Sequence, residues 1–75
     1  MKLEVRLFAY LRDGRDKKVY VEVLEGITTV TDVLAELKIP QEEASLILIN
    51  GLDGNLDSTF KENDFLSLFP PVGGG

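Results

Sequence analysis

The 75-residue sequence contains no cysteine, no histidine and no tryptophan, and these absences exclude several classes of function. Without cysteine there is no disulfide, no zinc–thiolate site and no thiol nucleophile. Without histidine the chain lacks the most common general base and the most common metal ligand in proteins. We therefore expect a protein that is not itself an enzyme, with no cofactor and no metal site of its own.

Positive charge is scarce outside the first 18 residues. Those residues contain six basic and three acidic side chains, whereas residues 19–75 contain two basic and ten acidic ones, and the net charge is −5. An acidic body disfavours nucleic acid as a partner and favours a protein with a basic face. The sequence also lacks an apolar run of transmembrane length, and charged residues interrupt any signal-peptide-like region. We therefore expect a cytoplasmic protein that binds neither nucleic acid nor membrane.

Two stretches of alternating residues predict an N-terminal β-hairpin. Residues 2–8 alternate between leucine or valine and charged side chains, and residues 18–23 alternate between valine and Lys, Tyr or Glu. Such alternation is typical of half-buried strands, and the turn-forming run Asp13–Asp16 lies between them. Phe8 is the exception in the first strand, because an aromatic side chain there takes a position on the charged face.

A short helix is predicted after the hairpin. Thr29 and Asp32 have the spacing of a capping box, and Pro40 marks the end of the helix. Apolar residues recur between them at helical spacing, namely Val30, Val33, Leu34 and Leu37. We expect Val33 and Leu37 to be buried, and the substitution Leu37→Ala to cost about 2–5 kcal/mol of unfolding free energy.

The second half of the chain predicts two more strands separated by a polar loop. Leu46–Ile49 is apolar, and the Asn50-Gly51 dipeptide that ends it is typical of tight turns. Residues 52–63 are mostly polar and include two apolar residues that can anchor the loop to a core. These anchors are Leu56 and Phe60. Phe65–Phe69 is the last predicted strand.

A hairpin, a helix and two further strands give an α+β order. If the last strand pairs parallel to the first, one main helix covers one face of a mixed sheet of four to five strands. That is the ubiquitin-like β-grasp arrangement. We expect residues 1–71 to form this domain, with Val5 of the first strand and Leu68 of the last in the core.

Three phenylalanines are candidates for a partner-binding patch. If Leu66 and Leu68 face the helix, then Phe65 and Phe69 face away from it, beside Phe8 of the neighbouring strand. The alternative is that one or two of these rings lie under a loop, since single exposed apolar residues are common. A cluster of aromatic side chains on an open face is nevertheless typical of a docking surface.

The chain ends in Phe69-Pro70-Pro71-Val72-Gly73-Gly74-Gly75. Proline cannot continue a sheet ladder, so Pro70 and Pro71 should lift the backbone out of the last strand. Glycine has no Cβ and is the narrowest residue, so residues 72–75 should form a flexible tail that carries the Gly75 carboxylate away from the domain. We expect Pro70, Pro71 and Val72 to contact the same partner as the phenylalanines.

Several motifs in this chain resemble the MoaD/ThiS family of sulfur carriers. They are Leu7–Arg12, Ile49–Gly51, the Asn63-Asp64 pair and the ending Leu68–Gly75, and together they span most of the chain. Within the family, the phenylalanine-diproline-valine-glycine ending is most similar to that of the small subunits of molybdopterin synthase. Thiamine-pathway carriers tend to be shorter and to lack the diproline, so they are the alternative.

The resemblance implies a chemical role for the tail. The Gly75 carboxylate would be adenylated by a ubiquitin-activating-type enzyme that binds ATP, and sulfur would then replace the adenylate to give a thiocarboxylate. The tail, with Gly73 and Gly74, would next enter the large subunit of molybdopterin synthase and deliver sulfur to a pterin precursor.

The sequence leaves two other functions open. One is a ubiquitin-like protein modifier, in which Gly75 is joined to a lysine of a target protein. The other is an interaction module with an idle tail, which would keep its function after removal of Gly74 and Gly75. Both a carrier and a modifier need an activated C-terminal glycine, so the residues alone do not separate them.

Overall fold

The computed structural model describes residues 1–71, and within that range it contains five strands, one α-helix and two short 3₁₀ helices. The strands are β1 (Lys2–Leu7), β2 (Lys18–Glu22), β3 (Leu46–Ile49), β4 (Leu52–Asp53) and β5 (Phe65–Phe69). The α-helix is α1 (Val30–Leu37), and the 3₁₀ helices are Ala9–Arg12 and Gln41–Glu43. The predicted tail, residues 72–75, lies outside the described residues.

The five strands form one mixed sheet in the order β2-β1-β5-β3-β4. β5 lies in the centre, where it pairs parallel to β1 and antiparallel to β3. β1 and β2 form the predicted antiparallel hairpin, and β3 and β4 form a second one. With α1 against one face, this is the predicted β-grasp fold. The two-residue strand β4 lies in the segment for which the sequence predicted only a loop.

The core lies between α1 and one face of the sheet. Alternate residues of β1 and β5 point into it, because successive side chains of a strand face opposite sides. Val5, Val33 and Leu68 are buried as predicted. The other fully buried side chains are Leu3, Leu7, Val30, Leu34, Phe60 and Leu66. Phe60 is 0% exposed and Leu56 packs against the core, so both predicted anchors of the polar loop are confirmed.

The start of α1 is fixed by the predicted capping box. The Thr29 hydroxyl accepts a hydrogen bond from the Asp32 amide at 3.3 Å, and the Asp32 carboxylate accepts one from the Thr29 amide at 3.0 Å. Two backbone donors at the helix start are thereby satisfied, and the carboxylate lies at the positive end of the helix dipole.

No helix among residues 1–71 is both long and apolar enough to cross a membrane.

α1 ends at Leu37, three residues before Pro40. Lys38 adopts a left-handed backbone conformation with φ 60°, which reverses the chain direction. The Ile39 amide then donates to the Leu34 carbonyl at 2.9 Å, and the Ile39 side chain is buried. Leu37 itself is only half-buried. The predicted burial of Leu37 is therefore wrong, because the turn at Lys38 brings Ile39 into the core at the end of the helix.

Asn50 connects the β3–β4 hairpin to the start of β5. Asn50 and Gly51 both have positive φ, of 55° and 81°, which fits the tight two-residue turn predicted from this dipeptide. The Asn50 side chain donates to Asp64 at 2.7 Å and accepts from the Phe65 amide at 2.9 Å. The register of the strand that leads to the tail is therefore fixed at its first residue.

Candidate functional site

Phe8, Phe65 and Phe69 lie on the face of the sheet that is turned away from α1. The register pairs Glu4 with Phe65 and Arg6 with Ser67, so these residues share one face while their neighbours in sequence are buried in the core. All three phenylalanines are half-buried. We call this group the aromatic patch, and its use in binding a partner remains a prediction.

Two rings of the aromatic patch are stacked on each other. The ring centroids of Phe8 and Phe69 are 4.2 Å apart and the ring planes differ by 11°. This contact is possible because the Phe8 amide donates to the Leu68 carbonyl at 3.2 Å, which extends the β1–β5 ladder beyond the end of β1. Stacking holds each ring in place.

Two arginines lie over rings of the aromatic patch, and no local pattern in the sequence pointed to them. The Arg6 guanidinium carbon lies 3.9 Å from the centroid of the Phe65 ring, and that of Arg12 lies 5.5 Å from the Phe8 ring. Both distances are within cation–π range. The signal for Arg6 was its shared face with Phe8, but predicting the contact required the register between β1 and β5.

Glu4 holds Arg6 over the Phe65 ring. The Arg6 Nε donates to the Glu4 carboxylate at 2.6 Å, and Lys18 Nζ lies 3.8 Å from the same group. The hydrogen bond from Arg6 is the main cause of a pKa of Glu4 below its ordinary value of 4.5. A lowered pKa means that this pairing stabilises the fold above the unfolded-state pKa and is lost as the pH falls through the folded-state value.

Two leucines of β3 extend the apolar surface next to the patch. Leu46 is paired with Phe69 and Leu48 with Ser67, so both lie on the open face. Leu46 is 43% exposed. Ser67 is only 7% exposed, and its strand β5 lies between β1 and β3. The sequence of β3 is apolar at every position, and therefore gave no alternation from which the outward-facing residues could be predicted.

The chain leaves the sheet where β5 ends. The Ser45 amide donates to the Phe69 carbonyl at 2.9 Å, and this bond continues the β3–β5 ladder to its last residue. Pro70 has no amide hydrogen with which to continue it. Pro70 and Pro71 are half-buried, and Val72, Gly73, Gly74 and Gly75 lie outside the described residues. The last described residues, Pro70 and Pro71, therefore follow the central strand of the sheet, beside the stacked rings.

A groove of about 380 Å³ lies beside this exit, and we call it the exit groove. Its lining residues are Ala9, Tyr10, Ser45, Leu46, Phe69, Pro70 and Pro71. Ala9 has a φ of 53°, which turns the chain sharply after Phe8 and opens one side of the groove. A hydrogen bond with Glu43 is the main cause of a raised pKa of the Tyr10 hydroxyl.

The described residues bring apolar surface together around the end of β5. Within residues 1–71, no three carboxylates lie close enough together to hold a metal ion. The aromatic patch, the exit groove and the diproline lie next to one another. Such an arrangement can bind a protein and direct the following residues into it.

Comparison with known proteins gives a family and a set of structural relatives. The ThiS family model matches residues 5–75. SAMP1, the small archaeal modifier protein 1 of Haloferax volcanii, is 30% identical over 100% of both chains, with a TM-score of 0.75. A Pyrococcus furiosus protein assigned as subunit 1 of molybdopterin converting factor is 28% identical, with a TM-score of 0.73 and coverage of 96% of this chain and 99% of that one.

A third relative comes from a solved complex of subunits 1 and 2 of the Helicobacter pylori molybdopterin-converting factor. The match is 26% identical over 100% of both chains, with a TM-score of 0.63. No curated protein sequence matches the chain. The family match covers nearly the whole sequence, and the fold agrees along the whole chain. The protein therefore belongs to the ThiS family and is a ubiquitin-fold sulfur carrier of the ThiS/MoaD type.

Proposed function

We propose that this carrier supplies sulfur for molybdopterin synthesis, as the small subunit of a molybdopterin synthase. The observation that carries the proposal is the position of the diproline exit. Pro70 and Pro71 follow the central strand and line the exit groove next to the aromatic patch, which supports an exit of the tail at this point. A partner that binds the patch would receive the tail in the same encounter. The solved complex of subunits 1 and 2 of the Helicobacter pylori protein supports a large-subunit partner of this kind.

The proposed chemistry takes place on the Gly75 carboxylate in two steps. A carboxylate oxygen attacks the α-phosphorus of ATP in the activating enzyme, and pyrophosphate leaves. A sulfur nucleophile at the oxidation level of sulfide then attacks the acyl carbon, and AMP leaves with the bonding electrons. The product is a thiocarboxylate. Because the chain contains no cysteine, the sulfur atom and the ATP site both come from partner proteins.

Tail insertion has an entropic cost that the folded domain must offset. Ordering four backbone residues costs roughly 1–2 kcal/mol each, or about 4–8 kcal/mol for Val72–Gly75. Glycines offer few contacts in return, so most of the binding free energy has to come from the domain. The aromatic patch and the exit groove are the apolar surfaces closest to the tail, which supports their assignment as the docking site.

Removal of Gly75 tests the proposal. We expect a chain ending at Gly74 to give no ATP–pyrophosphate exchange with the activating enzyme, because the reacting carboxylate is displaced by one residue. The thermal unfolding midpoint should be unchanged, which serves as the control for folding. Exchange at the wild-type rate without Gly75 would contradict the carrier function.

A second candidate function is protein modification, which the similarity to SAMP1 favours. In that case a lysine amine of a target attacks the acyl adenylate, AMP leaves, and an isopeptide bond forms. Mass spectrometry on material from cells separates the two. A free protein with sulfur in place of one oxygen supports the carrier. Glycine remnants on lysines of other proteins, without the sulfur exchange, support the modifier.

A further inference from the structure

Four of the eight basic residues in this acidic chain line one small cleft. The cleft has a volume of about 150 Å³ and is lined by Arg6, Leu7, Phe8, Arg12, Lys17 and Lys18. The whole sequence contains 8 basic residues against 13 acidic ones, yet no lining residue of this cleft is acidic. We call it the basic cleft.

The local fold maintains this concentration of positive charge. Arg12 Nε donates to the Leu7 carbonyl at 2.8 Å, and the Leu7 amide donates to the Lys17 carbonyl at 2.8 Å. Lys18 is paired with Arg6 across the β1–β2 hairpin. These contacts bring together Arg6 of β1, Arg12 of the 3₁₀ helix, and the Lys17-Lys18 pair at the start of β2.

Much of this charge is unpaired within residues 1–71. Glu4 is the one carboxylate there that pairs with the cleft, through Arg6 Nε at 2.6 Å and Lys18 Nζ at 3.8 Å. In the same part of the chain, the terminal nitrogens of the Arg6 and Arg12 guanidinium groups donate no hydrogen bond, and Lys17 has no ion pair. Like charges repel, so this arrangement is stabilised by added negative charge.

The basic cleft is continuous with the aromatic patch. Phe8 belongs to both, Arg12 covers the Phe8 ring, and Arg6 covers the Phe65 ring. We propose that the cleft receives aspartate and glutamate side chains of the protein that docks on the aromatic patch. The occupant is thus an acidic segment of that partner, which steers it onto the patch and fixes its orientation. This inference rests on the proposed function for the identity of the docking protein.

The two oxygens of an aspartate or glutamate carboxylate match the guanidinium donors of Arg6 and Arg12 in the cleft. Guanidinium groups bind carboxylates through paired hydrogen bonds, and the free ends of Arg6 and Arg12 point to a geometry of that kind. An acidic segment also explains why the cleft differs in sign from the rest of the molecule. Such local opposition of charge raises association rates by 10-fold to about 1,000-fold at low salt.

Association kinetics with the large subunit test the inference. Charge reversal in K17E/K18E should slow association by about tenfold or more in 50 mM salt and by much less in 500 mM salt, since ions screen the interaction. The control K2E/K61E makes the same change in net charge on side chains that do not line the cleft. If both double variants slow association equally, net charge rather than the cleft is responsible and the inference is wrong.

A second measurement does not depend on the large subunit. Titration of the ¹⁵N-labelled chain with hexaglutamate should shift the amide resonances of residues 6, 8, 12, 17 and 18, and K17E/K18E should lose these shifts while K2E/K61E retains them. Inorganic phosphate that gives the same shifts at lower concentration would overturn the inference in favour of a small-anion site. Absence of shifts in this region would also overturn it. If the large subunit does not bind even the wild type, the proposed function fails while this titration still decides the role of the cleft.

Discussion

Phe69 has a different position from the other residues of the aromatic patch. It is the last residue of β5, its ring stacks on Phe8, and it also lines the exit groove. Phe65 lies at the opposite end of the same strand, where Arg6 covers its ring. The two phenylalanines have the same chemistry and face the same side of the sheet. They differ in position, because Phe69 directly precedes Pro70 whereas Phe65 is the first residue of the strand.

Substitution of these two residues tests whether the docking surface lies at the exit. We expect Phe69→Ala to weaken the large-subunit complex by about 2 kcal/mol or more, as for a central aromatic contact. Phe65→Ala is the matched control, and its effect on binding should be smaller. Titration calorimetry measures both affinities.

The same two variants need a stability measurement. Phe69→Ala should lower the unfolding free energy by about 1 kcal/mol, because Phe69 is half-buried and loses its stack with Phe8. Denaturant melts measure this change. Equal losses of binding from both variants would place the docking surface away from the exit, and unfolding of Phe69→Ala at 25 °C would show that the ring is part of the core.

At the level of elements, β5 connects the core to the aromatic patch. Its even-numbered residues Leu66 and Leu68 are buried against α1, and its odd-numbered residues Phe65 and Phe69 belong to the patch. A shift of one residue in its register would exchange these two faces. The side-chain bonds of Asn50 to Phe65 and Asp64 prevent such a shift.

The C-terminal turn of α1 leads to a prediction about two leucines. Leu34 is 1% exposed, whereas Leu37 is half-buried at the last position of the helix. We expect Leu34→Ala to lower the unfolding free energy by about 2–5 kcal/mol and Leu37→Ala by less, because a cavity in the core is costly and a partly exposed site loses less contact. Urea melts of the two variants measure the difference. A larger loss from Leu37→Ala would contradict the position of the helix end.

The sequence predicted the elements that its residue patterns encode locally. Alternation gave β1 and β2, the Thr29–Asp32 pair gave the start of α1, and the Asn50-Gly51 dipeptide gave the β3 turn. Pro40 marked the end of α1, which comes three residues earlier, at Leu37. The burial of Ile39 in place of Leu37 was missed because a lysine in the left-handed conformation leaves no signal in the sequence.

On the scale of the whole molecule, positive and negative charge are unevenly distributed. Basic side chains gather around β1 and the first 3₁₀ helix, next to the aromatic patch, while the remainder of the chain is mostly acidic. The sequence showed the excess of positive charge in the first 18 residues. It did not show that four of these charges share a cleft, since that depends on the β1–β2 register. The sequence also did not show which leucines of β3 face outward, since that depends on the β3–β5 register.

A truncation separates the domain from its tail. We expect a chain ending at Pro71 to unfold within about 2 °C of the complete chain, because the truncation keeps the whole of the core that the structure describes within residues 1–71. A chain ending at Leu68 is the control, and it should be less stable because it loses the Ser45–Phe69 bond and the Phe8–Phe69 stack. Thermal melts of the three chains test this. A large loss of stability after removal of residues 72–75 alone would show that the tail belongs to the fold.

The parallel pairing of β1 and β5 also determines how the domain bears a mechanical load. β1 begins at Lys2 and β5 ends at Phe69, and the two strands lie side by side in the middle of the sheet. A pull on the chain end against a held N-terminus slides these strands past each other. The ladder hydrogen bonds between them then bear the force together in shear instead of opening one after another. The parallel β1–β5 pair therefore protects the domain against being unravelled by a pull on its C-terminal end.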